Sequence, residues 1–113
     1  MSRHDPLVCL RHMLDHAREA GEMARGRARS DLDTDRQLQL SLVHLLEIVG
    51  EAAARVPPDE RIRFQRIQWR DIVDLRNRLI HGYDLVDLDV VWAIVQQDVP
   101  ALIVELERIV APT

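Results

Sequence analysis

Residues 38–54, LQLSLVHLLEIVGEAAA, decide the fold of this chain. Apolar residues recur here every three or four positions, which places them on one side of a helix. The positions expected to be buried most deeply are Leu42, Leu45, Leu46, Val49 and Ala53. Pro57 and Pro58 follow, and proline ends a helix because it has no amide hydrogen and clashes with the preceding turn. The stretch therefore predicts a long, largely buried helix.

Signals for helix starts lie on both sides of this run. Asp5 is a suitable cap and Pro6 has its φ angle already set, so a first helix is expected from here to about Gly26. Thr34 and Gln37 have the spacing of a capping box, which predicts the start of the second helix.

The second half of the chain carries further helical patterns. Residues 58–64 predict a short third helix, and a fourth is expected from Trp69 to His81, with Gly82 as its stop signal. Asp87 is expected to cap the last helix, which Pro100 should kink. No strand pattern is found, so the predicted fold is all-α: an antiparallel bundle of four long helices plus a short extra helix.

Length and composition favour one globular domain over residues 1–113. The chain is 47% hydrophobic and 30% charged, a mixture typical of a folded protein that is not embedded in a membrane. Its single cysteine, Cys9, cannot form an internal disulfide, which fits a reducing cytoplasm. No run is long enough to span a bilayer, and the N-terminus does not resemble a signal peptide. A cytoplasmic location is expected.

The distribution of charge is more informative than its sum. The net charge of −4 disfavours a protein that coats nucleic acid, and no DNA partner is expected. Residues 61–78 nevertheless hold six arginines against two acids, whereas residues 84–108 hold six acids against one arginine. The basic segment is a local patch that can attract phosphate.

The run RNRLIHGY, residues 76–83, holds the main candidate site. Arg76 is a permanent cation, Asn77 a polar amide, His81 a group that titrates near neutrality and Tyr83 a phenol. Such a set suits phosphate chemistry without a metal or cofactor, because histidine can accept a ribose proton while arginine stabilises phosphoryl charge. Spacing alone also allows a structural interpretation, in which Arg76 pairs with an aspartate and His81 merely caps a helix.

Other histidines and acids are weaker candidates. His12 and His16 are four residues apart and could chelate a metal, but they are better explained as exposed helix residues. His44 lies among leucines and is expected in the core or at an interface. Glu47 and Glu51 share a helix face; they could bind a divalent ion, but Glu51 is expected instead to order an arginine such as Arg76. Two tryptophans are interpreted as core or interface anchors, Trp69 and Trp92.

Two stretches resemble the HepT-like proteins of the HEPN superfamily. Residues 69–92, WRDIVDLRNRLIHGYDLVDLDVVW, are similar to the family's signature region, which has Arg, four to six residues, His, any residue and Tyr. Here these are Arg76, four residues, His81, Gly82 and Tyr83, with Asn77 at the usual polar position. Residues 47–57, EIVGEAAARVP, resemble the second-helix segment with its Gly-Glu-Ala run.

The resemblance implies a metal-independent endoribonuclease that acts as the toxin of a toxin–antitoxin pair. It implies a homodimer with the two motifs facing across a cleft, catalysis by Arg76 and His81, and support from Asn77. It further implies that a minimal nucleotidyltransferase antitoxin neutralises the toxin by AMPylation of Tyr83. The alternative is a non-catalytic HEPN module that uses the same pocket to bind a nucleotide or the nucleotidyltransferase.

Overall fold

The computed structural model describes residues 5–82 and 85–110, and this part of the chain is dominated by helices, so the all-α prediction is confirmed. The first half contains α1 (Pro6–Ala24), α2 (Asp31–Thr34), α3 (Arg36–Ala54) and α4 (Pro58–Arg63). The second half contains α5 (Trp69–Val73), α6 (Leu75–Leu79), β1 (Ile80–His81), β2 (Leu85–Val86), α7 (Leu88–Ala93), a π-helical segment (Ile94–Asp98) and α8 (Val99–Ile109).

The two long helices α1 and α3 form the centre of the core. The predicted stripe of α3 is confirmed, since Leu42, Leu46 and Ala53 are fully buried and the remaining members are nearly so. Helix α1 packs mainly against α3 and α8. Its buried side is lined by small and medium side chains, including Leu10, Met13 and Ala17. This apolar contact is the main source of stability, because burial of apolar area drives folding.

Aspartates rather than a capping box begin the long helices. The Asp5 carboxylate accepts a hydrogen bond from the Leu7 amide at 2.9 Å, as predicted. The capping box at Thr34 is wrong: Thr34 ends the short helix α2, and Asp35 instead accepts from the Leu38 amide at 3.0 Å. Asp35 has the extended backbone that a cap requires, whereas Thr34 is already helical.

The predicted fourth helix is divided. It is interrupted at Asp74, whose carboxylate accepts a hydrogen bond from the Asn77 side-chain amide at 2.7 Å. The helix then ends at Leu79, two residues before the predicted end, because Ile80 takes an extended conformation. The predicted number of four long helices is therefore not confirmed.

His81 lies on a small β-hairpin and not at a helix end, which corrects the prediction. Ile80 pairs with Val86 and His81 with Leu85 in an antiparallel ladder. Gly82 has φ +79°, in the left-handed region that favours glycine, and starts the turn of the hairpin. Period-2 patterns cannot reveal strands of two residues each, so this element left no sequence signal.

The last helical stretch is continuous but irregular. Asp87 caps α7 by accepting from the Val90 amide at 3.1 Å, as predicted. The five-residue π-helical segment precedes Pro100, which cannot donate a hydrogen bond to the previous turn. The local change at Pro100 is thus a π-helical segment; a kink stays a prediction. Within the described residues, no helix is long and apolar enough to cross a membrane.

Gly50 brings α3 close to the segment that carries the candidate motif. A Cβ atom at this position would lie 3.1 Å from the Ile72 carbonyl oxygen and 3.4 Å from the Leu75 Cβ. Only a residue without a side chain lets the helices approach this closely. The glycine of the Gly-Glu-Ala run therefore sets the distance between α3 and the α5–α6 segment.

Candidate functional site

The two arginines of α6 differ in their surroundings. Arg78 is engaged, because its guanidinium contacts the Asp98 carboxylate at 3.0 Å and the Asp71 carbonyl oxygen at 3.3 Å, with 30% of the side chain exposed. Arg76 has 67% of its side chain exposed, and within the described residues its one ion pair is longer, 3.6 Å from Nε to the Glu47 carboxylate. Arg78 ties α6 to the π-helical segment, while Arg76 is available to a ligand.

Glu47 takes the place that the sequence suggested for Glu51. Both belong to α3, but the ion pair with Arg76 is made by Glu47, whose side chain is 32% exposed. Glu51 is exposed and forms no ion pair within the described part of the chain. The structural alternative in which Arg76 pairs with Asp71 or Asp74 is not observed either. A pair this exposed is weak, so it orients Arg76 without occupying it fully.

Asn77 is held beside Arg76 by its hydrogen bond to Asp74. Its side chain is exposed, and within the described residues its amide oxygen has no hydrogen-bond partner. The bond to Asp74, at the break between α5 and α6, sets the orientation of this amide.

His81 contacts Asp87, which the sequence had identified only as a helix cap. The imidazole Nε2 lies 3.3 Å from Oδ2 of Asp87, and 60% of the histidine side chain is exposed. The other carboxylate oxygen, Oδ1, caps α7. Hydrogen bonding from the Val90 amide, and then from His81, lowers the pKa of Asp87 below its ordinary value. Asp87 therefore stays ionised and presents a carboxylate to the His81 ring.

The predicted site residues lie on consecutive elements but do not bond to one another. Within residues 5–82 and 85–110, no hydrogen bond or ion pair joins Arg76 to His81. Each is positioned separately, Arg76 by Glu47 and His81 by Asp87. Tyr83 lies outside the described residues, so its role stays a prediction. No local pattern predicts the contact between His81 and Asp87, because the hairpin brings the two residues together.

The remaining candidates behave as surface or core residues. His16 Nδ1 lies 2.7 Å from the carbonyl oxygen of His12 on the same helix. In the described ranges, no three His, Cys, Asp or Glu side chains are placed to hold a metal ion. His44 is exposed on α3, so its placement in the core is wrong, and its placement at an interface stays a prediction. The two tryptophans do pack against the core, and Trp69 donates from its indole nitrogen to the Phe64 carbonyl oxygen at 3.0 Å.

Comparison with known proteins identifies the family of the chain. The model of the ribonuclease HepT-like family matches residues 13–109. A provisionally named RNase of Methanocaldococcus jannaschii is 32% identical over 107 residues, which cover 95% of this chain and 98% of the relative. A provisionally named ribonuclease HepT of Thermococcus cleftensis is 35% identical over 79 residues, covering 70% and 72%. A third relative, provisionally named an RNase in Caldanaerobacter subterraneus, is 29% identical over 104 residues, covering 92% and 93%.

No solved structure matches the chain. The family model spans most of the chain, including α3 and the Arg-x4-His-x-Tyr segment, and the Methanocaldococcus relative covers 95% of it. This protein belongs to the HepT-like ribonuclease family of the HEPN superfamily.

Proposed function

We propose that this chain is a metal-independent endoribonuclease that acts as the toxin of a toxin–antitoxin pair. The observation that supports it most directly is the paired arrangement of His81 and Asp87 on the hairpin beside α6. An exposed imidazole backed by an ionised carboxylate is suited to move protons on a bound substrate. Arg76, exposed and held loosely, supplies the cation that phosphoryl oxygens need.

The cleavage step assigns a role to each of these groups. Asp87 faces Nε2, so Nδ1 of His81 accepts the proton of a ribose 2′-OH. The 2′ oxygen then forms a bond to the adjacent phosphorus, and the bond from phosphorus to the 5′ oxygen breaks. A protonated imidazole returns a proton to that oxygen, leaving a 2′,3′-cyclic phosphate and a free 5′-OH. Arg76 stabilises the charge on the non-bridging oxygens, and Asn77 positions the phosphate.

A homodimer supplies the second proton donor. Each chain has one histidine in the motif, whereas the reaction needs one imidazole to take a proton and another to give one. A two-fold axis that faces the two motifs across a cleft provides both without further sequence. We expect the dimer to form between two copies of the single domain that residues 1–113 make up.

The antitoxin is proposed to be a minimal nucleotidyltransferase that transfers AMP to Tyr83. Tyr83 is separated from His81 by one residue, so an adenylyl group on its oxygen adds bulk and negative charge next to the cleft. The charge repels a phosphate chain and the bulk blocks access. A Tyr83→Phe chain is therefore expected to escape neutralisation, measured as growth arrest in cells that co-express the nucleotidyltransferase. Full neutralisation of Tyr83→Phe contradicts this mechanism.

The nuclease proposal is tested with His81→Ala and a matched control, His12→Ala, which changes an exposed histidine of α1. Wild type and the His12 variant are expected to arrest growth and cleave single-stranded RNA in EDTA. His81→Ala should lose about 10²- to 10⁴-fold in cleavage rate, the usual contribution of a general base. Equal inactivity of wild type and His81→Ala would falsify the nuclease role. Loss of wild-type cleavage in EDTA contradicts the metal-free mechanism.

A further inference from the structure

A cleft of about 320 Å³ lies between the α5 region and the last helical stretch. Its floor is apolar, formed by the buried side chains of Ile67, Ile72 and Leu102. Arg78 bonds the lining residue Asp98 and projects from α6 about 200° around the helix from Arg76, so the cleft is separate from the motif. Sites for small molecules begin at about 300 Å³, so the cleft suits one planar ring system.

The rim of the cleft carries two exposed glutamines, Gln68 and Gln97. Neither side-chain amide forms a hydrogen bond within residues 5–82 and 85–110. Each amide offers both a donor and an acceptor, the combination that reads the edge of a nucleobase. An apolar floor with free amides above it is the chemistry by which proteins bind an unstacked base.

The π-helical segment supports a ligand site at the same place. Gln97 and Asp98 both belong to it, and both line the cleft. Segments of π-helix are rare and recur at functional sites, since they are less favourable than regular helix. The Arg78 ion pair fixes Asp98, and this leaves the neighbouring Gln97 side chain directed into a preformed space.

Two of the three acids that line the cleft are in ion pairs, whereas Asp71 forms none within the described residues. Asp98 pairs with Arg78 at 3.0 Å, and Glu105 pairs with Arg108 at 3.3 Å. Arg66 lines the cleft and makes no ion pair in the described part of the chain. The cleft can therefore hold a base, and Arg66 at its edge can contact the phosphate attached to that base.

A second cleft continues from the first and has the character of a strand-binding surface. It measures about 240 Å³ and shares Arg66, Ile67 and Glu105 with the first. Arg63 and Phe64 also line it, with the guanidinium 5.4 Å from the ring centroid. Arginines combined with an accessible aromatic ring are typical of single-strand binding.

We infer that the first cleft binds one unpaired base of an RNA strand and so sets the base preference of the enzyme, an inference that rests on the proposed function. The strand passes on through the second cleft, where Arg66 contacts a phosphate. Asp71 of the cleft and Arg76 of the motif are five residues apart, so their Cα atoms lie within about 18 Å of each other, a distance that one strand can cover.

The test uses the full chain in a His81→Ala background, so that RNA is bound without being cleaved. Fluorescence anisotropy measures the Kd for short labelled oligoadenylate, oligocytidylate and oligouridylate. We expect one homopolymer to bind about tenfold more tightly than the others. Ala101→Trp, which fills the cleft, and Gln97→Ala, which removes an amide, should each abolish that preference. Gln96→Ala is the matched control, since Gln96 is exposed on the same segment but does not line the cleft.

Arg66→Ala separates a phosphate contact from a base contact. It should weaken binding of all three homopolymers equally and reduce the salt dependence of log Kd by about 0.7. Arg11→Ala, at an exposed arginine of α1, should change neither. A thermal melt of each variant verifies that it folds. If Ala101→Trp disturbs the core, the test relies on Gln97→Ala, which is the smaller change.

The two proposals fail in different ways. Suppose that wild type cleaves RNA. If the homopolymers then bind equally well, or if the cleft variants retain the base preference, the assignment of the first cleft is wrong and the nuclease proposal is unaffected. If wild type does not cleave RNA, but one homopolymer binds preferentially and the cleft variants lose this preference, the nuclease proposal is wrong and the assignment of the first cleft is supported. Binding of free nucleosides without binding of any homopolymer overturns the RNA assignment.

Discussion

The α1–α3 pair and the segment from α5 to the start of α7 are built in different ways. Each long helix contains 19 residues and is held by a continuous buried stripe. The second region consists of two helices of five residues and a hairpin of two-residue strands. Ile72, Leu75 and Leu79 of this region are buried in the core. Its exposed motif side chains are instead held by single polar contacts, Arg76 by Glu47 and His81 by Asp87.

This difference separates stability from function within one small chain. Apolar burial in the long helices is worth several kcal/mol for each large side chain, whereas an exposed ion pair contributes less than about 1 kcal/mol. The exposed ion pairs of the motif therefore add little to the free energy of unfolding, and the groups that form them remain able to contact a substrate. Substitutions in the two regions are expected to change different measurements.

The largest expected effect is at the fully buried Leu46 of α3. Leu46→Ala should lower the free energy of unfolding by about 2–5 kcal/mol, because it removes apolar contacts and leaves a cavity. Urea denaturation followed by circular dichroism measures it. Leu40→Ala is the matched control, since Leu40 is 54% exposed on the same helix and should cost far less. Similar costs at both positions contradict the packing of α3.

The two arginines of α6 give the next effect. Arg76→Ala should reduce RNA cleavage by about 10²-fold, the loss expected for one group that stabilises transition-state charge, while the unfolding midpoint stays constant. Arg78→Ala should instead lower the free energy of unfolding by about 1 kcal/mol, because it frees Asp98. Cleavage rates and urea midpoints of both variants test this. An unchanged cleavage rate in Arg76→Ala removes that residue from the site.

Alanine substitutions at two glycines of the long helices are expected to change the free energy of unfolding in opposite directions. Alanine at Gly21 meets only Ile103 Cδ1, at 3.9 Å, so Gly21→Ala should stabilise the protein by about 0.5–1 kcal/mol through helix propensity. Gly50→Ala should destabilise it by about 1 kcal/mol, since the crowding at Ile72 exceeds the same gain. It should also lower activity, because α5–α6 must move. Stabilisation by both changes would contradict the close approach at Gly50.

The smallest expected effect is a decrease of the free energy of unfolding at acidic pH. Hydrogen bonds from the backbone amides of Leu38 and Val90 are the main causes that lower the pKa of Asp35 and Asp87. The unfolded chain thus binds protons more readily than the folded chain. The stabilisation is complete above the unfolded pKa near 4 and is lost as the pH falls through the lower folded pKa. Asp35→Asn should reduce this decrease, measured as the free energy of unfolding in urea at several pH values. An unchanged pH dependence contradicts the prediction.

The sequence by itself determined the helical class, the long buried helices and the residues of the motif. Periodic apolar positions identify α3, and aspartate caps are local signals, so Asp5 and Asp87 were assigned correctly. The motif was found because its residue types and spacing lie within one short stretch, which a linear pattern preserves.

Only the tertiary structure decided how those residues are held. The partner of Arg76 is Glu47 rather than Glu51, and the partner of His81 is Asp87, because helix packing at Gly50 and the hairpin at Gly82 set the distances. The base cleft likewise combines α5 with the π-helical segment, which are far apart in sequence. Local patterns record what each segment prefers, whereas contacts between distant segments depend on how their buried faces fit together.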